Sequence, residues 1–134
     1  MSLRILIVVD SDSVLHMIEA LVASRGYDVT TAQTGARGLE EALARAPDLV
    51  LVDLDLPGPF DGLEVCKRLR QSAPTLTVPI IALSSLEDDE AKAAAHEAGV
   101  SAYYTKPFSP SSLAKEIESI RTRRNSSMKI RVKE

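Results

Sequence analysis

The chain has 134 residues, 45% of them hydrophobic and 26% charged, enough for one domain with a core of its own and too few for two of ordinary size. A formal net charge of -3 gives no overall attraction for nucleic acid, and a single cysteine, Cys66, excludes an internal disulfide or a cysteine-rich zinc site, as suits a reducing cytoplasm. The apolar runs fall far short of the roughly 20 residues that cross a bilayer and no secretory leader pattern opens the chain, so a soluble cytoplasmic protein making no membrane contact is expected.

Taken in chain order, Ile5-Leu6-Ile7-Val8-Val9 predicts a strand over residues 4–10. Val14, Leu15, Ile18, Leu21 and Val22 then recur at helical spacing, and Gly26 supplies a left-handed stop. Asp12 and Ser13 directly precede that period, which makes Asp12 a helix cap ahead of a ligand. A more polar strand over 27–32 leads to a helix over 36–46, with Leu39, Ala42 and Leu43 as its apolar face and Pro47 closing it. A strand over 48–53 and a helix over 62–72 follow. Next come a strand over 78–84, a helix over 88–98 stopped by Gly99, a strand over 102–105 and a helix over 111–123. Cys66, set among Leu63, Val65 and Leu69, is expected as an inert core thiol. His16 and His96 stand on helices with no second ligand at metal spacing and are expected at the surface.

The first, third and fourth strands are nearly all aliphatic, as parallel strands covered on both faces are, while the polar second and the short fifth suit edges. The predicted fold class is α/β: a doubly wound, five-stranded parallel sheet in the flavodoxin-like order 2-1-3-4-5. Such sheets bind ligands at the carboxyl ends of their strands. Here those ends carry Asp10-Ser11-Asp12, Asp53 with Asp55 close behind, Ser84-Ser85, and Lys106-Pro107. Neighbouring carboxylates repel, so they hold a proton or recruit a cation, and hard oxygen donors with room for water suit Mg²⁺. A carboxylate beside such a cation can attack phosphorus. The charge on the transferred group then calls for an ammonium and a hydroxyl, which Lys106 and Ser84 would provide.

The string Asp48-Leu-Val-Leu-Val-Asp53-Leu-Asp-Leu-Pro57-Gly58, followed by Asp61-Gly62-Leu-Glu-Val, resembles the receiver domain of two-component response regulators. The resemblance continues through Pro79-Ile-Ile-Ala-Leu-Ser84-Ser85, Glu97-Ala-Gly99 and Tyr103-Tyr-Thr-Lys106-Pro107-Phe108, so that it spans residues 4–120. It implies that Asp53 accepts a phosphoryl group from a histidine kinase or histidine phosphotransfer protein in a CheY-like phosphorelay. Asp10, Asp53 and the backbone carbonyl of Asp55 would hold Mg²⁺, and Lys106 would pair with the phosphoryl oxygens. Ser84 and Tyr103 would act as the switch, biasing the face formed by helix four, strand five and helix five toward a downstream protein or output domain. It further implies a cis peptide at Lys106-Pro107 and allows a homodimer through the same face. On this reading the chain is a signalling domain, not an enzyme beyond its own phosphorylation and dephosphorylation.

Three departures from the family pattern stand out. Ser11 occupies the position of a second acidic ligand, which lowers the expected metal affinity unless Asp12 or Ser11 itself is recruited. The loop Gly58-Pro59-Phe60-Asp61-Gly62 is one residue longer than usual, and Asp55 places a carboxylate where the family tunes phosphoryl lifetime. The loss at Ser11 motivates an alternative, a receiver-like interaction module that works without phosphorylation. The Asp-x-Asp strings at Asp10 and Asp53 motivate a remoter one, a haloacid-dehalogenase-like phosphohydrolase. The receiver is expected over residues 1–122, with 123–134 as a basic tail or linker that does not itself bind nucleic acid.

Overall fold

Aliphatic strands occupy the middle of the sheet and the two more polar ones its edges. The computed structural model describes residues 3–133, with the side chains of residues 3–123. In chain order the elements are β1 (Arg4–Val8), α1 (Asp12–Ala23), β2 (Asp28–Ala32), α2 (Gly35–Ala44), β3 (Leu49–Asp53), α3 (Gly62–Arg70), β4 (Ile80–Ser84), α4 (Asp89–Glu97), β5 (Ala102–Thr105) and α5 (Pro110–Lys133). All strand pairs are parallel and the order is β2-β1-β3-β4-β5, as predicted.

Alternation along the strands divides the core in two. Leu6, Val8, Val50, Val52, Ile80 and Ala82 face Ala42 of α2, Val65, Cys66 and Leu69 of α3, and Ala95 of α4. Ile5, Ile7, Leu49, Leu51, Ile81 and Leu83 face Leu15, Ile18 and Val22 of α1 and Leu113, Ile117 and Ile120 of α5. Each fully buried aliphatic side chain contributes about 1.5–3 kcal/mol to the folded state. Burial also pushes the Cys66 thiol up to about 12, so the residue is the inert core group expected of it.

The helices begin where polar side chains satisfy orphan backbone donors. Ser11, Thr34, Asp61 and Asp88 each accept a hydrogen bond from the N–H three residues on, at Val14, Arg37, Glu64 and Ala91. Gly26 and Gly99, with φ of 79° and 97°, supply the left-handed turns after α1 and α4.

The structure corrects the sequence reading in several places. The cap of α1 is Ser11, and Asp12 is already helical. Leu43 is exposed, because α2 meets the sheet through Gly38 and Ala42: a Cβ at Gly38 would lie 2.7 Å from Val8, and this close approach turns Leu43 outward. A short 3-10 turn at Ala73–Thr75 precedes β4, held by the buried Thr75 hydroxyl donating to the Leu69 carbonyl at 2.6 Å. Finally, α5 continues to Lys133 instead of ending near residue 123, and the expected tail beyond that point lies outside the described side chains.

Candidate functional site

Parallel registry brings the strand ends to one rim. Asp53 is level with Leu83 of β4, and Ser84 is level with Thr105 of β5, one residue before Lys106. The N-terminus of α3 presses on the end of β3, since a Cβ at Gly62 would lie 2.5 Å from the Asp53 carbonyl oxygen and from Leu54 Cα. The Asp-Gly pair that caps α3 therefore also packs directly against the end of β3.

Asp53 is 4% exposed and Ser84 2%, so both belong to the core in burial but not in chemistry. Lys106 Nζ donates to Asp53 Oδ2 at 2.6 Å and to Asp55 Oδ2 at 3.2 Å. The other Asp53 oxygen, Oδ1, accepts the Asp55 N–H at 2.8 Å. Burial pulls the Lys106 ammonium down, and its hydrogen bonds and charge interactions with Asp53 and Asp55 more than offset that, so its pKa lies above the ordinary lysine value. A desolvated carboxylate with no cation beside it would be costly, and Lys106 removes that cost.

The loop after β4 is tied to the same centre. Ser84 Oγ accepts the Leu86 N–H at 3.1 Å, and the Ser84 carbonyl accepts the Lys106 N–H at 2.8 Å. Tyr103, partly buried against the α2/α3/α4 side of the core, donates its hydroxyl to the Leu86 carbonyl at 2.7 Å. Ser84 and Tyr103 are thus joined through Leu86, and the peptide between Lys106 and Pro107 is cis, as the resemblance implies.

On the β1 side, Asp10 is exposed at the mouth of the sheet. Its backbone carbonyl and the Asp12 carboxylate both accept the Gln33 side-chain amide, at 3.2 Å and 2.5 Å. Ser11 Oγ is taken by the cap to Val14 and by Ser13. One Asp12 oxygen and the Ser11 hydroxyl thus already have partners. Among the described residues no three His, Cys, Asp or Glu side chains gather closely enough to hold a metal ion by themselves. Asp10, Asp53 and the Asp55 carbonyl offer the hard oxygen donors that a small divalent cation takes.

Sequence reasoning missed Gln33, whose role depends on the loop between β2 and α2 folding over Asp12, and it missed the Asp55 side chain as a bridge to the loop after β4, where Ser85 N–H donates to Asp55 Oδ2 at 2.9 Å. It also missed Phe60 in the lengthened loop. The Phe60 ring lies 4.6 Å under the Arg68 guanidinium, and its carbonyl would meet a Cβ at Gly35 at 2.3 Å. The exposed His16 and His96 take no part.

A buried strand-end carboxylate, paired with the lysine that follows β5 and flanked by a hydroxyl from β4, gives this doubly wound α/β domain an acidic centre at its switch point. The family model of the response regulator receiver domain matches residues 5–118, and the chain belongs to that family. Over 120 residues it is 38% identical to the alkaline phosphatase synthesis transcriptional regulatory protein PhoP of Bacillus subtilis, covering 90% of this chain and 49% of that one. The chemotaxis response regulator CheY4 of Vibrio cholerae superposes with a TM-score of 0.84 at 28% identity, covering 90% of this chain and 99% of that one. The BeF3-activated DrrB receiver domain, from Thermotoga maritima, does so with 0.81 at 29%, covering 91% and 99%. The chain spans about half the length of the curated relative PhoP. It is a receiver domain of two-component signalling, and the phosphohydrolase reading falls with that assignment. Among the described residues no helix is long and apolar enough to cross a membrane.

Proposed function

We propose that Asp53 is the phosphoryl acceptor of this receiver and that its modification drives a switch at the β4–α4 loop and β5. The observation that carries this is the 2.6 Å contact between Lys106 Nζ and a carboxylate only 4% exposed. An Asp53 oxygen attacks the phosphorus of a phosphohistidine on a histidine kinase or phosphotransfer protein. The P–N bond breaks, the departing imidazole takes up a proton, and an acyl phosphate remains on Asp53. Lys106 offsets the charge that accumulates on the phosphoryl oxygens, and the Ser84 hydroxyl, at present only an acceptor from Leu86, turns to donate to them. Mg²⁺, held by Asp10, Asp53 and the Asp55 carbonyl, would supply further charge neutralisation at the same oxygens.

Movement of Ser84 releases Leu86 and with it the Tyr103 hydroxyl, which couples Asp53 to the α4-β5-α5 face. Relatives that carry the name of transcriptional regulatory proteins are about twice as long, which supports an output unit as the target of that face, with residues 123–134 as the connection. The buried thiol of Cys66 and the net charge suit a cytoplasmic domain. Incubation with a small-molecule phosphodonor and Mg²⁺, followed by intact-mass measurement, tests the assignment. Wild type is expected to gain one acid-stable, alkali-labile phosphoryl group and Asp53→Asn none. Equal modification of both would refute it.

A further inference from the structure

Besides the Ser84 hydroxyl and the Asp55 N–H, the Lys106 ammonium and the Ser85 N–H are two groups at this rim able to receive anionic oxygens. Both are already occupied by one oxygen, Asp55 Oδ2, at 3.2 Å and 2.9 Å. The Asp55 side chain retains only 34% of its exposure, and its own N–H holds Asp53 Oδ1, so the residue grips the acceptor with its backbone and the surrounding donors with its side chain. An oxygen anion held by an ammonium and a backbone N–H is the arrangement a phosphoryl oxygen requires. We infer that the Asp55 carboxylate is an internal competitor of the phosphoryl group: it occupies Lys106 and the Ser85 N–H in the unmodified domain and is displaced when Asp53 is phosphorylated.

Two consequences follow, both resting on Asp53 as acceptor. The first concerns affinity. A group that must eject a bound anion from its donors binds more weakly than one that finds them free, and two anions sharing Lys106 repel. The second concerns the loop. Asp55 ties Ser85 to the end of β3 before any modification, and Ser85 lies between Ser84 and Leu86, whose carbonyl holds Tyr103. Displacement of Asp55 therefore frees the backbone at the point where the switch begins.

The experiment is a beryllium fluoride titration of wild type, Asp55→Asn and Asp55→Ala. It is run at Mg²⁺ concentrations shown to saturate each protein, so that an altered metal affinity does not enter. Asparagine keeps the volume and removes the charge, and alanine removes the bridge as well. Both variants are expected to bind the phosphoryl mimic at least about tenfold more tightly than wild type, the equivalent of about 1.4 kcal/mol. In metal-free, mimic-free protein, the Ser85 amide is expected to exchange faster in Asp55→Ala than in wild type, a readout independent of any phosphoryl chemistry. Equal or weaker binding by the variants, with wild type still binding, overturns the competitor role and leaves the acceptor assignment standing. No binding by any of the three overturns both.

Discussion

Replacing Gly62 by alanine tests whether the α3 terminus sets the position of Asp53. The added Cβ would lie 2.5 Å from the Asp53 carbonyl oxygen, 2.5 Å from Leu54 Cα and 2.9 Å from Leu54 Cδ2. The first two are backbone atoms, and the contact is roughly 0.9 Å inside the 3.4 Å at which ordinary contacts begin, so no side-chain rotation relieves it. Either α3 lifts from the sheet or the end of β3 shifts. Overpacking of this kind costs about 1–3 kcal/mol, and the better helix propensity of alanine returns at most about 1 kcal/mol. Because the clash is with backbone the cost lies toward the upper end, so the net loss is about 1–2 kcal/mol, which at a urea slope of about 1–3 kcal/mol/M lowers the unfolding midpoint by roughly 0.3–2 M. The amide resonances of Leu54 and Asp55 are expected to move, because their hydrogen bonds to the Leu83 carbonyl and Asp53 Oδ1 depend on the position of that strand end. Gly58→Ala is the contrast: φ is +89° with nothing within 4 Å, so its cost is one of backbone conformation and leaves those amides in place. A Gly62→Ala variant as stable as wild type, with Leu54 and Asp55 unshifted, would refute the reasoning.

Ser11→Asp restores an acidic side chain beside Asp10 while keeping an equally good helix cap, so Mg²⁺ affinity by isothermal titration is expected to rise on the order of tenfold with the melting temperature almost unchanged. Arg70 donates to the Gly99 carbonyl at 2.7 and 3.1 Å and to the Thr75 and Leu76 carbonyls at 3.2 Å, tying α3 to the turn before β4 and to the turn after α4. Arg70→Met is expected to cost about 2 kcal/mol by urea unfolding, and a loss below the measurement error would show those bonds to be dispensable. Burial, with Glu116 beside it, pushes the Tyr104 phenol up to about 12. A raised phenol favours the folded state fully below its ordinary value of 10.0, and this contribution disappears as the pH climbs through about 12. A phenolate absorbance titration should show this late step, and Tyr104→Phe should remove it.

The elements were legible because each strand is a short aliphatic run and each helix has a polar cap and a periodic face. The strand order followed from which runs were wholly apolar. Asp53, Ser84 and Lys106 were visible for the same reason, since a polar residue that ends an apolar parallel strand has only the carboxyl edge to occupy. Leu43 misled because hydrophobicity registers the larger side chain, whereas α2 is held to the sheet by what Gly38 lacks. Ser11 and Asp12 are both good caps in isolation, and only the position of the first helical turn separates them. Gln33 and the Asp55–Ser85 bridge were hidden because they join loops distant in sequence whose side-chain directions no periodicity fixes.

Charge at the rim is displaced as well as reduced. Where the family pattern, by resemblance, sets two acidic groups after β1, this chain keeps Asp10 and replaces the second with a cap, Ser11. The third carboxylate reappears on the far side of Asp53, as Asp55, bonded to Lys106 and to the loop after β4. The position after Asp10, where the pattern sets a carboxylate, is thereby uncharged, and Lys106 answers to two carboxylates rather than one. Both changes act in the same direction. On the proposed function they would weaken attraction for the metal and occupy the donors that a phosphoryl group needs, and so favour the unmodified state over the modified one. In such a domain Ser11→Asp and Asp55→Asn should act additively on binding of a phosphoryl mimic at limiting Mg²⁺, because the two residues lie on opposite sides of Asp53 and share no hydrogen-bond partner. A double variant no better than the stronger single one would mean that both substitutions relieve the same restraint.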